Sequence, residues 1–220
     1  SDNCENPDGI VLRSFSMHDM ELGSNLKGIA RAGAGTNNIP IDKCTEKGIV
    51  VFNTPGANAN AVKELVILGL LISSRKVVSG IDWAKTLAGS GAEVAKAVEK
   101  GKSAYVGPEI QGKTLGVIGL GAIGAMVANA ADALGMKVIG FDPFMTVDAA
   151  WRLSSAVVHA NSMDEVFENS DYITLHIPAN DATNGTINSE TLAKMKDGVR
   201  ILNFARGSLV NDAHLAVALE

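Results

Sequence analysis

The 220-residue chain carries 19 basic and 24 acidic groups, a formal charge of −5, with 46% hydrophobic and 20% charged residues. That balance excludes disorder by composition, and 23 glycines without a triplet period exclude collagen. The mild acidity, with no Lys/Arg run longer than Arg75-Lys76, argues against nucleic acid or anionic lipid as a partner; the longest apolar run, residues 65–72 with one glycine inside, falls far short of the ~20 residues a membrane span needs.

Ser1-Asp2-Asn3-Cys4 has no initiator Met and neither the basic nor the apolar region of a signal peptide, so the chain is expected to begin inside a longer protein. Cys4 and Cys44 form no CxxC and have no His at metal spacing, so neither a disulfide framework nor a metal site is expected, and a reducing cytoplasm fits.

Residues 9–12 and 28–30 are short apolar runs that read as strands, ending at Arg13-Ser14 and at Arg31. A third strand over 48–52 runs into the turn Asn53-Thr54-Pro55-Gly56, after a short helix over 41–47. Strands apolar on both faces, alternating with helices, predict a parallel sheet covered on each side. Val62, Leu65, Val66, Leu70, Val77, Val78 and Ile81 then recur at helical spacing, predicting one long helix over 61–87 that joins two lobes, with Ser73-Ser74 as the place for a kink. Glycine-rich stretches at 89–91 and 101–112 bracket a further short helix.

The second lobe begins at Lys113. Strands are expected over 114–118, 137–141, 157–158, 172–176 and 199–204. Helices are expected over 122–134 stopped by Gly135, from the Ser162-x-x-Glu165 capping box to Glu168, over 189–195, and from Asp212 onward. A doubly wound domain of this kind normally has about six strands, so more sequence is expected after Glu220.

Gly119-Leu120-Gly121-Ala122-Ile123-Gly124 is a G-x-G-x-x-G, a weak pattern alone because glycines also serve turns and close packing. Its setting makes it strong: it follows a strand, opens a helix, and is followed by Asp142 at the end of the next strand. The glycines suit a tight turn, backbone approach to a pyrophosphate and helix–strand packing, while Asp142, with Pro143 beside it, suits the hydroxyls of a ribose. With no Lys or Arg between Phe141 and Ala150, a 2′-phosphate would meet a carboxylate and no cation, which favours NAD over NADP.

Thr174-Leu175-His176-Ile177-Pro178 ends a strand at the edge where open α/β sheets bind ligands. It reads either as a wall against the nicotinamide ribose or as a surface strand end with an incidental imidazole; contact is expected from the backbone of His176, Ile177 and Pro178 rather than from the ring. Asn203-Phe204-Ala205-Arg206-Gly207-Ser208 ends another strand. Arg206 there reads as a grip on a substrate carboxylate that also polarises the adjacent carbonyl, or as half of a solvated salt bridge, and the strand-end position favours the first.

Together with Arg31-Ala32-Gly33-Ala34-Gly35-Thr36-Asn37-Asn38 and Asn53-Thr54-Pro55-Gly56-Ala57-Asn58, these segments resemble the D-isomer-specific 2-hydroxyacid dehydrogenases along essentially the whole chain. The resemblance implies an α/β protein: a Rossmann-type doubly wound parallel sheet plus a smaller flavodoxin-like α/β substrate domain, both incomplete. It implies a substrate-binding part over 1–57, a connecting helix and linker over 58–112, and an NAD-binding part over 113–220, with homodimers formed through the long helix. Leu12-Arg13-Ser14 and Asn58 look most like the branch of the family that oxidises 3-phosphoglycerate with NAD. By that likeness Arg13 and Ser14 would meet the phosphate or carboxylate, backbone around Ala57 and Asn58 would hold the carboxylate, Arg206 would be the catalytic arginine, and Ala205 would touch the cofactor. The family's acid/base His and its orienting Glu have no counterpart among residues 1–220, where His214 and Glu220 do not match the motifs; cofactor binding without turnover is the expectation for this stretch alone.

Two other readings share the fold. One is a relative acting on glyoxylate, hydroxypyruvate or D-lactate, substrates without the phosphate. The other is an NAD-sensing dimeric corepressor, for which no peptide-binding groove is legible in the sequence.

Overall fold

Three short strands, β1 (Gly9–Leu12), β2 (Gly28–Arg31) and β3 (Val50–Asn53), pair in parallel in that order. The computed structural model describes residues 5–220, so the expectation attached to Ser1-Asp2-Asn3-Cys4 lies outside the described residues. The chain divides into two units between Ala59 and Asn60. In the first, Ile10, Leu12, Ile29 and Val51 alternate onto one face of the sheet and pack with Met17, Leu22, Leu26, Ile39, Cys44 and Ile49. Helix α1 (Ile41–Glu46) connects β2 to β3, whereas β1 reaches β2 through turns without a helix. Cys44 is buried, which pushes its thiol pKa up.

The second unit is built on a five-stranded parallel sheet of β4 (Thr114–Ile118), β5 (Lys137–Phe141), β6 (Val158–His159), β7 (Tyr172–Leu175) and β8 (Arg200–Asn203), in the order β6-β5-β4-β7-β8. Central β4 and β7 are buried on both faces, which is why they read as unbroken apolar runs. Leu115, Val117, Tyr172 and Leu202 belong to one core with Val127, Ala128 and Ala131 of helix α5 (Ala122–Ala133). Ile118, Ile139, Ile173 and Leu175 belong to the other, with Val166 and Phe167 of α7 (Met163–Asn169).

The single helix expected over 61–87 is instead two, α2 (Ala59–Ser74) and α3 (Val77–Thr86). The hydroxyls of Ser73 and Ser74 both donate back to the Leu70 carbonyl, at 3.0 and 2.7 Å, and such back-bonding bends and ends helices. Ser74 Oγ also lies 2.7 Å from the Tyr172 hydroxyl, and Val66 and Leu70 are buried in the core under β4 and β7. Residues 60–112, read from sequence largely as a connector, therefore fold within the second unit. Its outer segment consists of α3, α4 (Val94–Gly101) and short 3-10 turns on either side of α4, held by Trp83 stacked on Tyr105 with ring centroids 4.9 Å apart. Leu65, Leu68, Leu71, Ile72, Val77, Val78 and Ile81 along α2 and α3 are left exposed. Among the described residues no helix is long and apolar enough to cross a membrane.

Three local readings are corrected. Ser162 Oγ does accept the Glu165 N–H at 3.2 Å, but the Glu165 carboxylate turns to the N–H of Asn161 at 2.7 Å, so the capping box is half made. The complete box is at Asn188 and Thr191, and it opens a helix, α8 (Ser189–Leu192), shorter than expected. A short helix not anticipated from sequence, α6 (Val147–Ala150), starts where Thr146 Oγ1 accepts the Ala149 N–H at 3.2 Å. The last helix, α9 (Asp212–Ala218), is capped by Asn211.

Candidate functional site

The chain runs outward from β4 through β5 to β6, then returns to build β7 and β8 on the other side. Between the carboxyl ends of β4 and β7 the connections therefore diverge, leaving the crevice in which open α/β sheets bind ligands.

Gly119 follows β4 with φ +90°, and a Cβ there would lie 2.7 Å from the carbonyl oxygen of His176, the residue after β7. Only glycine suits both that conformation and that approach. At Gly124 a Cβ would overlap the Gly119 carbonyl oxygen, so the first turn of α5 presses directly on the loop. Gly121 differs: apart from its own chain neighbours, no atom of the described residues lies within 4 Å of the position its Cβ would take. Nothing in the protein needs a glycine there, and the open space stands over the start of α5, where Gly121 provides no side-chain cap and no acidic residue occupies the first turn. Uncapped amide groups at the head of a 12-residue helix, next to open space, fit a pyrophosphate.

Asp142, one residue past β5, accepts the Leu120 N–H on Oδ2 at 2.8 Å and the Phe144 N–H on Oδ1 at 2.9 Å. The carboxylate joins the glycine loop to the Asp142-Pro143-Phe144 turn, and each oxygen keeps a lone pair for a ribose hydroxyl. Across the crevice, the His176 N–H donates to the Ile118 carbonyl at 2.8 Å, and the imidazole Nε2 lies 3.0 Å from Oγ1 of fully buried Thr174. Burial lowers the His176 pKa from 6.5 to about 4, so the ring is neutral near pH 7. Thus the ring turns into the sheet while the carbonyl faces the loop. Ile177 and Pro178 continue along the same rim, and Thr183 Oγ1 donates to the Pro178 carbonyl.

Arg206 stands three residues beyond the edge strand β8, exposed, and no carboxylate pairs with it among the described residues. Its Nη1 donates to the Ala205 carbonyl at 3.1 Å. Asn203 Oδ1 accepts the Ala205 N–H at 3.0 Å, so a ligand meeting Ala205 would find its amide taken and its carbonyl with one lone pair left beside the Arg206 guanidinium. His214 Nδ1 accepts the Ser189 N–H at 3.1 Å, a tie between α9 and α8.

In the first unit, Arg13 and Ser14 are exposed in the bend after β1, and Arg13 has no ion-pair partner among the described residues. Asn38 Nδ2 donates to the carbonyls of Arg13 and Phe15, at 3.3 and 2.8 Å, while its buried Oδ1 has no hydrogen-bond partner among the described residues. The Gly33 N–H donates to Thr54 Oγ1 at 2.7 Å, and Asn53 Nδ2 donates to the Ala34 carbonyl at 2.7 Å, binding the loops after β2 and β3 together. Ala57 and Asn58 are exposed in the turn that leads into α2. Reasoning from sequence assigned no role to Asn38 or Asn203, although both stand inside the stretches it singled out.

Residues 77–220 match the family model described as D-isomer specific 2-hydroxyacid dehydrogenase, NAD binding domain. A D-3-phosphoglycerate dehydrogenase of Bacillus subtilis is 39% identical over 216 residues, which cover 97% of this chain and 38% of that protein. A hydroxypyruvate reductase of Thermotoga maritima is 42% identical over 214 residues, 94% of this chain and 63% of that one. The chain thus spans less than two thirds of the length of these relatives. Among solved structures, a D-lactate dehydrogenase from Aquifex aeolicus, complexed with NAD and lactic acid, superposes with a TM-score of 0.77 at 30% identity over 96% of this chain and 60% of its own.

Proposed function

The chain belongs to the D-isomer-specific 2-hydroxyacid dehydrogenase family, residues 77–220 being its NAD-binding domain, and from that membership we propose that the whole protein oxidises 3-phosphoglycerate to 3-phosphohydroxypyruvate with NAD. The reaction opens serine synthesis, and its proposed place is the cytoplasm. Within this reading residues 1–57 serve the substrate and 113–220 the cofactor, while 58–112 lead from one to the other and fold almost entirely within the second unit.

Gly119, Gly121, Ala122, Ile123 and Gly124 hold the pyrophosphate through backbone N–H groups, Asp142 and Pro143 hold the adenosine ribose, and the rim of His176, Ile177, Pro178 and Ala205 lines the nicotinamide end. NAD, when bound, supplies the hydride acceptor. Arg206 grips the substrate carboxylate and stabilises charge on the C2 oxygen. Arg13 and Ser14, with the backbone at Ala57 and Asn58, meet the substrate's anionic groups.

The observation that carries the choice of substrate is Arg13, an exposed guanidinium with no carboxylate partner among the described residues, in a bend held from behind by Asn38. A dianionic phosphate needs such a cation. The match to the phosphoglycerate dehydrogenase of Bacillus subtilis over 97% of this chain supports the same choice. Hydroxypyruvate reduction is the second reading, favoured by the higher identity to the Thermotoga maritima protein. The whole protein, assayed with NAD, is expected to show a kcat/KM for 3-phosphoglycerate far above those for D-glycerate and D-lactate; the reverse order would favour the second reading.

A homodimer belongs to the same proposal, because the exposed apolar residues of α2 and α3 form a longer stripe than a water-facing helix pair normally keeps. Light scattering that gives a monomer would contradict it.

A further inference from the structure

We propose that Asn203 is the positioning residue of Arg206, its single side-chain amide fixing the peptide from which the guanidinium departs. The inference rests on Arg206 acting on substrate as proposed above.

β8 ends at Asn203, and from there the backbone must leave the sheet edge and expose Arg206 in a defined direction. Asn203 spans the departing segment at two points: Oδ1 accepts the Ala205 N–H at 3.0 Å and Nδ2 donates to the Arg206 carbonyl at 2.8 Å. The same carbonyl accepts the N–H of Leu209 at 3.2 Å, which occupies both of its lone pairs. Leu209 is fully buried and starts no new freedom of its own, because it sits in the core with Ile173 and Leu175. Arg206 is therefore held between a strand end and a buried anchor, with backbone φ −135° and ψ 139°, before a single 3-10 turn over Gly207–Leu209. The neighbouring side chains act elsewhere, Ala205 packing on the core of β7 and Phe204 lying beside Gly69 of α2, so it is Asn203 that ties the Arg206 carbonyl itself to the strand end.

The chemistry of the clamp is particular to asparagine. It needs one acceptor and one donor on a planar group. An ionised aspartate would keep the acceptor and set a second oxygen against the Arg206 carbonyl, and serine is too short to span both points. Alanine leaves the Ala205 N–H and the Arg206 carbonyl one partner short and lets the arginine drift, and a misplacement near 1 Å can cost about 10²-fold in rate.

The test is a double-mutant cycle in the whole enzyme, reading kcat, the KM for NAD and thermal stability. Asn203→Ala is expected to lower kcat by about 10²-fold, with the KM for NAD nearly unchanged. In an Arg206→Ala background the same substitution should change kcat less than about twofold, because what it positioned is gone. Equal losses in both backgrounds, or no loss in the first, would overturn the proposal, since a general structural role acts without regard to residue 206. If Asn203→Ala does not fold, Asn203→Asp is read in the same cycle; failure of both to fold would show that the clamp holds the fold and would also overturn it. Should Arg206→Ala itself leave kcat intact, the catalytic role of the arginine is what fails, and the inference falls with it.

Discussion

The carboxylate of Asp142 takes the backbone N–H of Leu120 at 2.8 Å, so the acid expected to bind ribose also fastens the middle of the glycine loop. Truncating it removes a ligand group and slackens the loop at once. Asp142→Ala should weaken NADH by at least about tenfold, the cost of a charge-assisted hydrogen bond, and should narrow the preference over NADPH. Fluorescence titration with both cofactors reads this directly, and equal or tighter NADPH binding by the unsubstituted protein would refute the preference.

Two glycines of the same loop should respond oppositely. Gly124→Ala drives a methyl into the Gly119 carbonyl and is expected to lower Tm. Gly121→Ala adds a methyl to open space and should leave Tm within a few degrees while weakening NADH. A thermal melt and a titration of each variant suffice. Intact NADH affinity in folded Gly121→Ala would mean that the open space is not where the pyrophosphate lies.

Arg206 and Arg13 are exposed and unpaired among the described residues, so removing either should cost little stability. In the whole enzyme, Arg206→Ala is expected to lower kcat by about 10²–10³-fold through lost transition-state stabilisation. Arg13→Ala should chiefly raise KM for the phosphorylated substrate. Variants that melted early yet kept their kinetics would assign both arginines to the fold.

His176 gives a pH signature. Its pKa is near 4 in the folded protein and 6.5 when unperturbed, so between those values the unfolded chain binds a proton that the folded chain refuses. Stability from this residue is complete above pH 6.5 and is lost as pH falls toward 4, by at most about 3 kcal/mol. His176→Gln should flatten the fall in Tm across that window, and parallel Tm profiles for the two proteins would exclude His176 as its source.

What the sequence disclosed follows from how local each signal was. β4 and β7 were legible as apolar runs because both faces are buried, and the glycine loop because its spacing is a short-range pattern. The break between α2 and α3 is only half legible: Ser73 and Ser74 mark it, but the Tyr172 hydroxyl that meets Ser74 lies 98 residues away and no local pattern discloses it. The cap at Ser162 is half made because the Glu165 carboxylate takes both the backbone N–H and the side-chain amide of Asn161, a partner the Ser-x-x-Glu spacing does not disclose. Asn203 and Asn38 escaped notice because an asparagine in a loop looks alike whether it faces water or holds a backbone turn.

The strand order described for the second unit also governs when the crevice comes into being. Leu115 of β4 lies between Val138 of β5 and Tyr172 of β7, so the strand bearing the glycine loop acquires one neighbour early in synthesis and the other much later. While the chain is still emerging from the ribosome, β4 and β5 can pair and α5 can cover them, yet the loop faces no opposite wall until residue 176 has been made. Until then one edge of β4 is an unprotected apolar strand, open to misassociation with other nascent chains. NAD, bound only after that edge closes, would protect the finished sheet without hastening its assembly.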